Sequence, residues 1–183
     1  YRWPAQSAVL ADVNAWWRAN VMAGKISLLY GYSLGKAQRL IAGLDPSIGP
    51  ILTHGAVERM TAAYRAEGVT LPATVHAATV DRKARAGAIV IAPPSAEGST
   101  WARRFGPSSS AFASGWMRVR GARRRRALDR GFPLSDHVDW PALLAAIDAT
   151  GASDIWVTHG YTGVVVRWLQ EHGVSARAVA TRF

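Results

Sequence analysis

Two short segments, Ser135-Asp136-His137-Val138-Asp139 and Thr158-His159-Gly160, hold the residues best suited to chemistry in this chain. Each histidine stands where a strand should end and a helix should begin. Parallel α/β folds present reactive groups at that place. Two imidazoles delivered to one edge of a sheet can share a metal ion or a phosphate. His137 lies between Asp136 and Asp139. A nearby carboxylate favours the imidazolium and fixes the ring, as a general acid requires. The same residues also read as ordinary caps, with Asp139 opening a helix at Trp140 and His137 exposed and idle. His159 is one ligand where zinc needs several, so by itself it is equally a structural histidine.

Other candidates are weaker. Thr53-His54-Gly55 repeats the spelling of Thr158-His159-Gly160 and follows a strand, so His54 is a metal candidate by local pattern. His76 in a strand interior and His172 at a helix end read as structural. Ser33-Leu34-Gly35-Lys36 opens a helix after a strand. Backbone N–H groups and a lysine there could hold a phosphate, although the longer glycine spacing of a P-loop is absent. Gly98-Ser99 and Ser108-Ser109-Ser110 are hydroxyl-rich turns. Arg123-Arg124-Arg125-Arg126, with Arg118, Arg120 and Arg130 nearby, is the strongest basic cluster. In an extended segment alternate side chains share a face, which puts Arg123 and Arg125 together toward a polyanion. A solvated edge strand guarded against aggregation reads the same way.

The elements that would position these residues follow from periodicity. Helical spacing predicts helices over about Gln6–Met22, from Gly35 to Leu44, over Ala56–Glu67, Trp140–Ala149 and Thr162–His172. Apolar runs predict strands at Ile26–Tyr30, Pro50–Thr53, Ala73–Thr79, Ala88–Ala92, Ser108–Trp116, Asp154–Val157 and Ala176–Thr181. A basic extended strand is expected over Met117–Ala127, and a short helix or irregular stretch over Ser95–Phe105. Strands alternating with helices imply an α/β fold built on a mainly parallel sheet. The change of character at Gly131-Phe132-Pro133 marks a domain boundary, giving residues 1–132 and 133–183.

Composition bounds the function class. A hydrophobic fraction of 49% supports a real core, and no cysteine is present. Disulfides, thiolate zinc sites and cysteine nucleophiles are thereby excluded. No apolar run approaches the ~20 residues of a membrane span, and a cytoplasmic setting suits the chain. The 22 Lys and Arg against 12 Asp and Glu leave a net charge of +10. That surplus favours a polyanionic partner. The chain starts at Tyr1 and enters a helix without a preceding strand, as expected of part of something longer.

Taken together these segments resemble the metallo-β-lactamase nucleases that carry a β-CASP insert. Ser33-Leu34-Gly35-Lys36-Ala37-Gln38 is similar to the small-Gly-basic-Ala-Gln helix opening of that family. Ser135-Asp136-His137-Val138-Asp139 resembles its motif B, and Thr158-His159-Gly160 its motif C, in the right order. Tyr1-Arg2-Trp3-Pro4, Gly35 to Leu40 and Phe112-Ala113-Ser114-Gly115-Trp116 most resemble the bacterial ligase-associated DNA exonucleases. The resemblance implies that His159 binds one of two metal ions, zinc or alternatively manganese. It implies that His137 protonates the leaving oxygen, with Asp139 supporting it. Ser33, Lys36, Ser99 and Ser135 then become hypothetical phosphate contacts.

The family's His-x-His-x-Asp-His motif is missing from the sequence, as is the acidic motif before the insert. The resemblance therefore covers the β-CASP part and the segment returning to the metallo-β-lactamase core. It implies DNA as partner, single-stranded or at an end, together with ATP-dependent ligase and helicase partners. RNA processing within the same superfamily, and a nucleic-acid-binding module without catalysis, are the alternatives. The expected site is half built, with no tight dinuclear centre in this chain alone.

Overall fold

The computed structural model describes residues 1–119 and 128–180. These form two compact units, one of Trp3–His137 and one of Tyr1–Arg2 with the chain from Val138 onward. In the first unit the elements run α1 (Gln6–Met22), β1 (Ile26–Tyr30), α2 (Lys36–Ala42), β2 (Ile51–Thr53) and α3 (Gly55–Ala66). They continue with β3 (Val75–His76), β4 (Ile89–Ala92), α4 (Thr100–Arg103), β5 (Ser108–Ala113) and β6 (Arg130–Phe132). The six strands form one sheet in the order β3-β2-β4-β1-β5-β6. Every pairing in it is parallel.

A parallel sheet is covered on both faces, so its central strands are apolar throughout rather than alternating. Ile89-Val90-Ile91-Ala92 is such a run, buried at every residue. Its odd and even side chains feed different layers. Ile89 and Ile91 join Leu29, Ala111 and Phe132 under α1, α2 and α3, where Val13, Trp17, Leu40, Ile41 and Val57 pack. Val90 and Ala92 join Leu28, Tyr30, Leu52 and Phe112 on the other face, against Ala102 and Phe105. Two indole N–H groups tie α1 to the sheet, Trp16 to the Ser109 hydroxyl at 3.3 Å and Trp17 to the Gly87 carbonyl at 2.9 Å.

Three strand expectations change. The strand expected over Ala73–Thr79 shrinks to Val75–His76, because its neighbour among the described residues, β2, is three residues long and ends at the helix cap His54. The basic strand expected from Met117 is instead a 3-10 turn over Gly115–Arg118. The Ser114 hydroxyl starts it by accepting from the Trp116 N–H, a local bond that competes with extension. The rest of that stretch, including Arg123 and Arg125, lies outside the described residues. Conversely, the sequence shows no strand at Arg130–Phe132, yet these residues pair with Ala111–Ala113 as β6.

In the second unit α5 (Trp140–Ala149) precedes β7 (Asp154–Val157), α6 (Thr162–Glu171) and β8 (Ser175–Ala178). β7 and β8 form a separate two-stranded parallel sheet. Leu169 and Ala176 are its buried apolar residues, and no residue of α5 is fully buried. Among the described residues no helix is long and apolar enough to cross a membrane.

Candidate functional site at the carboxyl edge of the sheet

All six strands of the large sheet point the same way, so the loops after them gather at one edge. β6 ends at Phe132, and the chain turns there when the Leu134 N–H donates to the Phe132 carbonyl at 2.9 Å. Ser135, Asp136 and His137 follow directly. The opening turn of α2, after β1, stands beside them.

Lys36 anchors this segment from below. Its side chain is 3% exposed, and its ammonium donates to the Leu134 carbonyl at 3.0 Å and meets Asp136 Oδ2 at 2.6 Å. Arg39, one turn along α2, donates from Nη1 to the Ser135 carbonyl at 2.6 Å and reaches Asp136 Oδ1 at 3.4 Å. Gln6 Oε1 accepts from Arg39 Nε at 2.7 Å and holds the guanidinium in place. Two cations from one helix therefore clamp two carbonyls and one carboxylate of the segment.

The turn carrying Lys36 is itself braced. Gly35 has φ +79, a conformation that L side chains rarely adopt. Its N–H donates to Gln38 Oε1 at 2.9 Å. Gln38 Nε2 in turn donates to the Ser33 carbonyl at 3.1 Å and the Thr61 hydroxyl at 3.2 Å. On the far side of the segment Gly115 approaches Ser135 so closely that a Cβ there would stand 3.1 Å from its Cβ and Oγ. It would also stand 3.2 Å from the Trp3 ring.

His137 emerges from this frame with its backbone held at both ends. Its N–H donates to Ser135 Oγ at 3.1 Å, and its carbonyl accepts from the Trp3 indole at 2.9 Å. The residue is exposed, and its imidazole makes no hydrogen bond among the described residues. The Asp136 carboxylate is turned toward Lys36 and Arg39, not toward the ring. Asp139 accepts from the Ala142 N–H at 3.0 Å and caps α5. Neighbourhood in sequence thus does not become the carboxylate–imidazole pairing that the spacing allowed for Asp136.

The remaining sequence candidates are placed as follows. Lys36 is buried and engaged, so it positions the Ser-Asp-His segment and does not face solvent. Ser135 is buried and spends its hydroxyl on His137. Ser99 caps α4, accepting from the Ala102 N–H at 3.3 Å and donating to the Ala96 carbonyl at 2.7 Å. Ser33 is half-buried in the α2 turn. Nearby, the Tyr30 phenol is pushed up to about 12 by burial first and Glu97 second, so it stays protonated.

His159 follows β7, so the two histidines stand at the ends of strands in two different sheets, not along one edge as the sequence pattern implied. It is exposed and has φ +67, unusual for a residue with a side chain. Such a conformation costs free energy and directs attention to the site that keeps it. Among the described residues no group of three or more His, Asp or Glu side chains could hold a metal ion. His159 is the one residue that the resemblance makes a ligand within this chain, and none of the described residues stands with it as a group that could hold a metal ion.

His54 has a local task. Its Nδ1 accepts from the Ala56 N–H at 3.1 Å, capping α3, and its ring meets Trp101 edge-on at 4.7 Å. Accepting at Nδ1 requires the neutral ring with its proton on Nε2. Burial, then His76, then Arg104 hold its pKa below the ordinary 6.5. The neutral form is thus favoured in the folded state. Stability from this group is complete above about pH 6.5 and is lost as pH falls toward the depressed folded value. His54→Asn keeps a capping side chain and removes the titration. The variant should lose less Tm than the parent between pH 7 and pH 5, and equal losses would refute the assignment.

Arg39, Gln38, Gly115 and Trp3 carry much of the site's geometry, and sequence reasoning gave them no role in it. For Trp3 and Arg39 the partners are distant in sequence, 134 and 96 residues away. The one available hint was their presence in segments that resemble the exonuclease subgroup. No family model matches the chain. A protein of Opitutus terrae named a probable DNA ligase is 31% identical over 179 residues, covering 98% of this chain. The chain spans 17% of that protein's length.

Proposed function

We propose that this chain is the β-CASP part and returning segment of a metallo-β-lactamase-fold nuclease that hydrolyses phosphodiester bonds in DNA. The observation that carries the reading is His137. It is exposed at a carboxyl edge, yet its backbone is held by Ser135 and Trp3 and its segment is clamped by Lys36 and Arg39. A backbone held at residue 137 limits where its ring can reach, and an exposed imidazole there can approach the leaving oxygen of a strand, as a proton donor must. The net charge of +10 supports a polyanionic substrate. DNA is preferred to RNA because the relative from Opitutus terrae is named a probable DNA ligase.

Bound metals would activate water and neutralise phosphate charge. Most of their ligands would come from a metal-binding half outside this sequence, with His159 as the ligand this chain adds. The isolated chain is expected to bind strands without cleaving them.

Two measurements test the reading. The protein joining this chain to its metal-binding half should cleave end-labelled DNA only when metal is supplied, and absence of cleavage would sink it. The chain alone should bind single-stranded DNA with log affinity falling linearly in log salt, at about 0.7 per phosphate contacted. Affinity indifferent to salt would remove the phosphate-driven mode.

A further inference from the structure

At the amino edge of the sheet, opposite the His137 edge, a cavity of about 480 Å³ opens where β1, β4 and β5 begin, at Ile26, Gly87 and Pro107. Arg82, Arg85, Arg104 and Phe105 also line it, and among the described residues no carboxylate does.

The arginines are held in place, not merely adjacent. Arg85 donates from Nε and Nη2 to the Val80 carbonyl at 3.0 and 2.7 Å, and its guanidinium stands 5.3 Å from the Phe105 ring centroid. Arg104 donates from Nη2 to the Ala77 carbonyl at 3.1 Å and lies at the same 5.3 Å from that centroid. A second ring, Trp101, lies 5.2 Å from Arg104. Two guanidiniums thus share one aromatic ring, each tethered to a backbone carbonyl. None of the three arginines forms an ion pair among the described residues. The Arg104 pKa is lowered, first by partial desolvation and then by the charge of Arg85.

Like charges fixed together without a counter-charge repel, and an anion placed between them turns that repulsion into attraction. Guanidinium forks match the paired oxygens of a phosphate in geometry as well as charge. We propose that this amino-edge cavity is a phosphate-binding site in which Arg82, Arg85 and Arg104 hold a phosphate group. The group would come either from a nucleic-acid strand or from a small polyphosphate. The site lies at the opposite edge of the sheet from His137 and stands independently of the hydrolytic reading.

Titration calorimetry of the 183-residue chain with pyrophosphate at low salt tests it, followed by the same titration in the presence of a single-stranded oligonucleotide. The comparison is Arg82→Gln with Arg104→Gln, leaving Arg85 to hold Val80. Saturable binding is expected in the parent and binding weaker by about tenfold or more in the double variant. His137→Ala should bind pyrophosphate as the parent does. Competition by the oligonucleotide assigns the site to strand phosphates, and its absence assigns it to small polyphosphates. If circular dichroism shows the double variant unfolded, Arg82→Gln alone carries the comparison, since the Arg82 side chain makes no hydrogen bond among the described residues and its backbone bond to Arg85 survives the change. No saturable binding by the parent, or equal affinity in a folded variant, overturns the site.

Discussion

His137→Ala is expected to lower DNA cleavage by about 10²–10⁴-fold, the usual contribution of a positioned general acid. The measurement is single-turnover cleavage by a protein that joins this chain to the metal-binding half proposed above. Strand affinity and metal content should stay near those of the parent. The backbone N–H and carbonyl of residue 137 make the bonds to Ser135 and Trp3, and alanine keeps both. A loss in rate without a loss in binding is what removal of a group acting only in the transition state produces. His159→Ala should separate from it by lowering metal content along with rate. His137→Ala cleaving at the parental rate would end the assignment of a proton donor.

Asp136→Ala is expected to destabilise the fold by about 3 kcal/mol, whereas Lys36→Met should cost about 1 kcal/mol or less. The asymmetry follows from burial. The Lys36 side chain is 3% exposed and that of Asp136 45%. Removing the carboxylate leaves a buried ammonium with the Leu134 carbonyl as its remaining partner among the described residues, and a buried charge without its counter-charge is expensive. Removing the ammonium leaves Asp136 half in water and still beside Arg39, while methionine refills most of the lysine volume. Urea denaturation of both variants decides the matter. Equal costs, or a larger cost for Lys36→Met, would show that the pair does not control this segment. In the cleaving protein Asp136→Ala should also slow turnover, because Ser135 and His137 lose the frame that aims them.

Much of the fold was legible in the sequence for local reasons. α1 and α3 have apolar stripes at helical spacing, and β1 and β4 are short buried runs between turn residues. Backbone geometry imposes those periods directly, so a single strip of sequence carries them. β6 was not legible. Arg130-Gly131-Phe132 is too short for a period, holds a glycine and precedes a proline. It is a strand because β5 offers Ala111–Ala113 as partners. The strand expected from Met117 failed for the opposite reason, since the Ser114 hydroxyl and Gly115 turn the chain locally.

The same division runs through the site. Residue types and order in Ser135-Asp136-His137 and Thr158-His159-Gly160, the surplus of positive charge and the α/β alternation are properties of the sequence alone. Tertiary structure decided what each residue does with its neighbours. It turned Asp136 from His137 to Lys36 and Arg39, made Lys36 a buried anchor, and gave Ser99 and His54 to helix caps. It also placed His137 and His159 at the ends of strands in separate sheets. Types and spacing act over a few residues along the backbone. Burial and partnership depend on chain segments about a hundred residues apart meeting, as Lys36 meets Leu134 across 98 positions, and no local pattern encodes that meeting.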